Sequence, residues 1–266
     1  MSYENDYGTE YYESHLGADD YIHNESFIEN NRVLAQSLFK GLQPARVLDV
    51  GCACGHLVSA FRDLGVEAYG TDPSSYALEN VRAEHRDYFC RGALPDLVLP
   101  DSFPKKYDLV TCIEVMEHIR EECNQATIAA LTRLGDTILF SSTPDDFEEP
   151  THINVHPISF WCIAFAKAGF YPDMTADLSA GAPQFVLFRK RACCPDLEEL
   201  LQIMDVLYQV KKTGIALATE RLELFRAATA RADLLERELN DIRSRRSYRI
   251  CMKISRIKNA LLGKKN

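Results

Sequence analysis

Over roughly the first 190 residues, short apolar runs alternate with segments whose apolar residues recur every three or four positions. The runs at 46–50, 66–71, 88–94, 107–113 and 136–141 have the length of strands and are bounded by Gly, Pro, Asp or Ser. Between them the spacing predicts helices: one from His56 with Leu57, Ala60, Phe61 and Leu64 on a face, one from Ser75 to about Glu84, then 121–134 and 158–168. A helix over 26–42 comes first, with Phe27, Val33, Leu34, Leu38 and Leu42 on one stripe and Pro44 ending it. Residues 170–175 and 183–189 read as a closing hairpin. Strands that alternate with helices predict an α/β fold around a largely parallel sheet. Beyond Pro195 glycine becomes scarce, charge density rises and Leu197, Leu200, Leu201, Met204, Leu207 and Tyr208 keep helical spacing, resumed by Leu222, Phe225, Leu235, Leu239 and Ile242. That predicts a helical hairpin or coiled coil, interrupted near 211–218. Three parts follow: 1–44, an N-terminal cap segment and helix; 45–192, the α/β core; and 193–266, a helical extension.

The core is organised around A-R-V-L-D-V-G-C-A-C-G, residues 45–55. A strand runs into a turn bracketed by Gly51 and Gly55, and a helix follows at once. Glycine lets the backbone pass close beneath a ligand, and the free amides of the helix start suit a carboxylate or phosphate. The pattern is a nucleotide-binding device without the G-x-G-x-x-G of a dinucleotide site or the G-x-x-x-x-G-K-[ST] of a triphosphate site. Seventeen residues past Gly55, Asp72 stands at the end of the second strand, where one carboxylate can accept from both hydroxyls of a ribose. Capping of the next helix by Asp72 or Ser74 is the other reading.

V-L-D-V-G-C-A-C-G resembles the first motif of class I S-adenosylmethionine-dependent methyltransferases, with Asp49, Gly51 and Gly55 in place and Ala53 where that motif has its middle glycine. Y-D-L-V-T-C-I-E-V-M-E-H, 107–118, is similar to the fourth motif of the same superfamily, and W-C-I-A-F-A-K-A-G-F, 161–170, to its closing helix and strand. The resemblance covers roughly 11–190. It implies a seven-stranded Rossmann-like sheet and S-adenosyl-L-methionine as cofactor. It further implies that Asp49, Gly51, Cys52, Ala53 and Gly55 form the methionine end of the site and that Asp72 and Pro73 hold the ribose. Backbone groups of Ala93 and Leu94 then face the adenine, since no acid follows the third strand, and Ile113 completes the set. Tyr12 and His15, within Y-Y-E-S-H-L-G, are candidates for covering the cofactor.

The loop 142–157 is too long and polar for a plain connector. In an extended chain His152, Asn154 and His156 would face one way and could contact a sugar, hold a metal or supply a base. No metal-ligand set is assigned. The similar T-H-x-N-V element of relatives lies beside their acceptor pocket, which makes His152 the first candidate base, with Glu114 and His118 behind it.

Charge divides the 266 residues unevenly: from Arg243 onward there are nine Lys and Arg and no Asp or Glu, so the whole-chain net charge of −9 leaves −18 on the rest. An acidic body argues against nucleic acid as substrate. The basic tail, with Ile250, Ile254, Ile257 and Leu261 on one helical face, suits either an anionic membrane surface or ordinary packing. Its R-S-x-S-x-R element is similar to one found in proteins of bacterial polysaccharide assembly. No run reaches about eighteen apolar residues, and M-S-Y-E-N-D is too acidic for a targeting peptide. With nine cysteines in no regular framework, the expectation is a cytoplasmic protein, peripheral on the inner face of the membrane if the tail binds there. Self-association is expected through 195–245 and membrane contact through 243–266. The favoured activity is O-methylation of a saccharide or lipid-linked glycan. The alternatives are methylation of a small metabolite or quinone, and a non-catalytic scaffold that binds the cofactor and recruits a glycosyltransferase.

Overall fold

In the computed structural model the described residues are Tyr7, Gly8, Tyr11, Tyr12, 21–193 and six positions further on: Arg226, Arg231, Arg237, Ile250, Lys253 and Ile254. His15 and nearly all of 193–266 lie outside them, and with these residues the coiled-coil, self-association and membrane-contact expectations. Contacts divide the chain into two units, 1–196 and 197–266. The six positions of the second unit are helical and exposed. Among the described residues no helix is long and apolar enough to cross a membrane.

The first unit is a seven-stranded sheet of order β3-β2-β1-β4-β5-β7-β6. Its strands are β1 (Arg46–Val50), β2 (Glu67–Asp72), β3 (Phe89–Arg91), β4 (Leu109–Ile113), β5 (Thr137–Ser141), β6 (Phe170–Pro172) and β7 (Val186–Lys190). Strands β1 to β5 pair in parallel, and β7 inserts antiparallel between β5 and β6. Register places Val50 beside Thr71 and Asp49 beside Thr111. The carboxyl ends of β1, β2 and β4 therefore finish level, and the order turns back at β1, where such sheets open a crevice.

Two apolar layers hold the sheet. On one face α1 (Glu25–Leu42) and α2 (His56–Asp63) pack Leu34, Leu38 and Phe61 onto Val47 and Leu109. On the other, α4 (Asn124–Leu134) and α5 (Ile158–Lys167) enclose Phe140, Trp161, Phe165 and Phe188. Rings of Phe165 and Phe188 stack at 4.3 Å, and Phe140 meets Phe165 edge to face at 5.2 Å. Burial on both faces explains why β1 and β4 read as largely apolar runs, broken within the buried part only by Asp49 and Thr111.

Several elements are shorter than the sequence pattern predicts. The helix expected to reach Glu84 is α3 (Ser75–Glu79), closed by the Asn80 N–H on Ala77 O at 3.1 Å and followed by a 3₁₀ turn over Ala83–Tyr88. The strand expected over 88–94 ends at Arg91, after which Gly92 N donates to Asp72 O at 3.1 Å and Pro95 has no N–H to offer a ladder. The strand expected over 170–175 stops at Pro172, because Asp173 folds back to accept from Thr175 N and Oγ1 at 3.0 and 2.6 Å.

Candidate functional site

The crevice is a cavity of about 630 Å³ at the carboxyl ends of β1, β2 and β4. Its floor is the loop between β1 and α2, where Gly51, Ala53 and Gly55 all hold left-handed backbone, at φ +81°, +48° and +74°. A Cβ on Gly51 would lie 2.3 Å from Cγ2 of Val115, and one on Gly55 2.3 Å from two ring carbons of Phe89. Both positions require glycine for conformation and for space. Ala53 adopts the same conformation with a methyl group in place, at a cost of about 1 kcal/mol.

Asp72 ties this loop to β2. Its Oδ2 accepts from Ala53 N and its Oδ1 from Ser74 N, both at 2.8 Å. Burial raises its pKa to about 6, so the carboxyl is ionised at neutral pH. Two N–H groups use two of a carboxylate's roughly four acceptor sites and leave capacity for hydroxyls. Ser74, rather than Asp72, caps α3 by accepting from Ala77 N at 3.1 Å, while its Oγ donates to Tyr7 O at 2.6 Å. The capping and ribose readings of this stretch therefore fall on different side chains.

Tyrosines make one wall. Tyr7 meets Tyr11 edge to face at 5.1 Å, Tyr11 meets Tyr12 at 5.2 Å, and Tyr7 meets the His118 ring at 5.7 Å. Desolvation raises the phenols of Tyr11 and Tyr12 far above the ordinary range, so both stay neutral donors. Helix α1 adds Phe27, Asn30, Asn31 and Leu34 to the same wall.

The opposite end is built by the segment after β4. Glu114 has φ +52°, a conformation in which a side chain with a Cβ is strained. It is pinned by its N–H, which donates to Ser141 O at 3.1 Å and lies 3.2 Å from Ser141 Oγ; Gln184 Nε2 donates to its Oε1 at 3.2 Å. The strained backbone thus sits at the cavity wall, with the Glu114 side chain among the lining. Asn tolerates left-handed backbone, so Glu114→Asn is expected to match or exceed wild-type stability, by up to about 1 kcal/mol, while turnover falls. Urea unfolding beside a methyl-transfer assay checks this; a variant that is clearly less stable would remove the strain argument.

Next along the chain, Glu117 is fully buried and His118 lines the cavity. His118 Nδ1 lies 3.3 Å from Thr151 O and its Nε2 3.5 Å from Tyr11 Oη. A carbonyl can only accept, so the proton belongs on Nδ1 and Nε2 carries the lone pair. Burial, with a smaller contribution from His152, lowers the His118 pKa to about 4 and keeps the ring neutral.

The loop after β5 departs from the extended arrangement read from sequence. His152 stands beside His118, ring centres 4.9 Å apart, with Nδ1 held 3.0 Å from Asp146 O. Asn154 is buried and donates to Met116 O at 2.9 Å and Asn124 Oδ1 at 2.8 Å. His156 stacks on Phe160 at 3.8 Å. Thr143 Oγ1 accepts from Asp146 N, and Asp146 Oδ1 from Glu148 N, both at 3.2 Å. These turns break the two-residue period, and the three side chains diverge.

Of the residues proposed from sequence for the cofactor, the cavity wall brings together Tyr12, Gly51, Ala53 and Asp72, and beyond them Pro73, Ala93, Leu94 and Ile113. Glu114 and His118 share that wall. Three expected members stand beneath it instead. Asp49 is buried with its Oδ1 accepting from Thr111 Oγ1 at 2.6 Å, Cys52 packs into the α1/α2 layer, and Gly55 lies under Phe89. His152 likewise reaches the cavity only through His118, because Asp146 draws its ring away. Among the wall residues not proposed from sequence, Tyr7, Tyr11 and Tyr21 were signalled by the density of tyrosines, and Asn30 and Asn31 by their place beside the apolar stripe of α1. Ala180, Gly181 and Ala182 carry no such signal.

Burial lifts the Asp49 pKa from 3.8 to about 7, against the opposing Thr111 hydrogen bond. A carboxyl raised in this way binds more protons folded than unfolded, so its contribution falls as pH rises from about 4 to about 7. Asp49→Asn is expected to remove that part of the pH dependence, on the order of 2 kcal/mol, in unfolding curves at pH 5 and 8. Parallel curves for variant and wild type would contradict it.

Comparison with known proteins agrees with this geometry. Residues 23–173 match the family described as a methyltransferase domain. The chain is 32% identical over 106 residues to the ubiquinone biosynthesis O-methyltransferase of Alkalilimnicola ehrlichii and 34% identical over 103 residues to that of Methylococcus capsulatus. These alignments cover 38% and 36% of the chain and 43% of each relative, so the chain spans less than half the length of the curated relatives it matches. Among solved structures, the magnesium protoporphyrin IX methyltransferase of Synechocystis with bound SAM superposes with a TM-score of 0.52 at 19% identity, over 71% of this chain and 94% of that one. A protein of Pyrococcus horikoshii superposes with a TM-score of 0.51 at 17% identity, over 64% and 94%. The chain belongs to the methyltransferase-domain family, the class I fold that uses S-adenosylmethionine.

Proposed function

We propose that the protein transfers the methyl group of S-adenosylmethionine to a hydroxyl oxygen of a small, ring-bearing acceptor of phenol or quinol type. The observation that carries this reading is a single cavity with two chemically distinct ends: a glycine floor with the buried Asp72 carboxylate at one, and Glu114 and His118 facing tyrosine rings at the other. The cofactor fits the first end, because Gly51 and Ala53 of the loop line the cavity there and the two amides on Asp72 leave its carboxylate acceptor capacity for hydroxyls. Gly51 and Ala53 would then lie along the methionine part, Asp72 would accept from the ribose hydroxyls, and Ala93 and Leu94 would flank the adenine. The bound cofactor supplies a methyl group on a sulfonium that departs as a neutral thioether.

The chain itself positions the acceptor, excludes water and receives one proton. Tyr7, Tyr11 and Phe27 give a planar ring apolar and edge-on surfaces to lie against. Glu114 and His118 present acceptor atoms on that wall, so the hydroxyl donates to one of them and its proton leaves that way. His152 supports His118 and does not itself meet the acceptor. The saccharide acceptor favoured from the loop and tail residues has no feature of the cavity behind it, whereas the ring-lined wall and the ubiquinone-pathway relatives both support a phenolic one.

The test is a methylation assay with labelled S-adenosylmethionine on a catechol series and a saccharide series, with product analysis for O-methyl ethers. Methyl ethers from catechols and none from saccharides are expected. Transfer to saccharides alone would overturn the acceptor assignment.

A further inference from the structure

We propose that Gln184 is a positioning residue for the reaction: its amide holds the Glu114 carboxylate so that one oxygen stays turned to the acceptor and takes the hydroxyl proton. This rests on the methyl-transfer reading and chooses between the two acceptor atoms that the wall presents.

The arrangement follows from the antiparallel insertion in the sheet. Glu114 follows β4 and Gln184 stands two residues before β7, with β5 lying between the two strands. Because β7 runs against β5, its start lies at the carboxyl ends of β4 and β5, where the cavity opens. Strand β5 anchors both partners: Ser141 O accepts from Glu114 N at 3.1 Å, and Phe140 pairs with Val186. Gln184 Nε2 then donates to Glu114 Oε1 at 3.2 Å, between residues 70 positions apart in sequence. A carboxylate only accepts, so the amide nitrogen is the atom that faces Glu114.

The Glu114 backbone is pinned, but three torsions separate it from a carboxylate on a half-buried side chain. The Gln184 amide fixes those torsions and leaves Oε2 with its lone pairs for a hydroxyl. His118, the other acceptor on the wall, has Nε2 3.5 Å from the Tyr11 hydroxyl, which engages its lone pair. The acceptor O–H bond accordingly breaks with the proton passing to Glu114, the oxygen forms the new bond to the methyl carbon, and the carbon–sulfur bond breaks with its electron pair remaining on sulfur.

Turns hold the segment that carries Gln184. Asp177 Oδ1 accepts from Ser179 N and Oγ at 3.0 and 2.6 Å, Gly181 N donates to Leu178 O at 2.9 Å, and Phe185 N donates to Ala182 O at 3.0 Å. Phe185 packs against the α1/α2 layer, and a Cβ on Gly181 would lie 2.3 Å from its Cδ2, so a methyl group there would displace the ring next to Gln184. The same turns bring Ala180, Gly181 and Ala182 to the cavity. One segment thus borders the space for the acceptor and aims the group that takes its proton.

The experiment is a double-mutant cycle on the full chain: wild type, Gln184→Met, Glu114→Gln and the double variant. Methionine keeps the length of the side chain and removes the donor. Turnover is followed with labelled S-adenosylmethionine on a catechol and on a saccharide, S-adenosylhomocysteine affinity by calorimetry, and the Gln184 side-chain amide by ¹H–¹⁵N NMR in wild type and Glu114→Gln. Gln184→Met is expected to lower kcat about tenfold, with both KM values and S-adenosylhomocysteine affinity within about twofold, and to cost less than about twofold in the Glu114→Gln background. The Gln184 amide resonance is expected to shift in Glu114→Gln. A role in packing alone would move KM or cofactor affinity together with kcat. An unchanged kcat in Gln184→Met, losses that multiply in the double variant, or an amide resonance unmoved by Glu114→Gln would overturn the positioning role alone. Wild-type protein that binds S-adenosylhomocysteine and methylates neither acceptor would overturn the methyl-transfer reading, and the positioning role with it.

Discussion

Asp72→Ala is expected to weaken S-adenosylhomocysteine binding by about a hundredfold or more, measured by titration calorimetry near pH 7.5. The carboxylate is charged there, and each hydrogen bond to a charged acceptor contributes about 1.5–3 kcal/mol. Two ribose hydroxyls meeting one buried carboxylate therefore account for the expected loss. The same side chain also holds Ala53 N and Ser74 N, so part of the effect will come from a loosened loop. A cofactor analogue lacking one ribose hydroxyl separates the contributions. If Asp72 contacts the ribose, the analogue and the variant lose affinity non-additively; if Asp72 only braces the loop, the losses add. A pH series gives an independent check. Because the folded pKa is about 6, affinity should be flat above that value and fall by up to tenfold per pH unit below it, as the carboxyl takes up a proton. An Asp72→Ala protein that binds within threefold of wild type would remove Asp72 from the site.

Gly55→Ala is expected to destabilise the protein by about 3–5 kcal/mol, read from urea unfolding midpoints. Two separate penalties combine at this position. Left-handed backbone at φ +74° disfavours any Cβ, and the new methyl would lie 2.3 Å from the Phe89 ring. In a Phe89→Ala background the steric part should vanish, leaving about 1–2 kcal/mol for the backbone part alone. A loss below about 1 kcal/mol in the wild-type background would mean that the loop can change shape freely, and its role as a rigid cradle would fail with it. Although Gly55 does not line the cavity, it fixes the start of α2 and hence the direction in which the Gly51 and Ala53 amides face.

The two variants probe the part of the molecule that was most legible in the amino-acid order. Strands β1 and β4 are largely apolar because both their faces are buried, with Asp49 and Thr111 as the polar exceptions paired to each other, and the apolar part is a property of composition alone. Gly51 and Gly55 announce a turn because no other residue tolerates both its backbone and its neighbours. Asp72 was legible through its distance from the turn. Asp49 was read as a cofactor residue from motif position, which says nothing of which way a strand side chain faces; its bond with Thr111 places it beneath the cavity wall. The direction of His152 was not legible for a different reason: it depends on the turns made by Thr143 and Asp146, which are set by hydrogen bonds within the loop rather than by periodicity. The small residues 180–182 at the cavity rim carry no chemical signal, and only the course of the chain brings them there.

The tyrosine wall has a consequence for how the site is refilled. Tyr7, Tyr11 and Tyr12 meet one another and His118 edge to face, and Tyr7 is joined to the start of α3 through Ser74. Edge-to-face pairs contribute only about 0.5–1.5 kcal/mol each and can slide without breaking. A wall of this kind can part on the way in and out while the sheet beneath it stays rigid. If the spent cofactor leaves past those rings, their parting sets the pace of repeated turnover, and a single-turnover experiment is expected to run faster than the steady state.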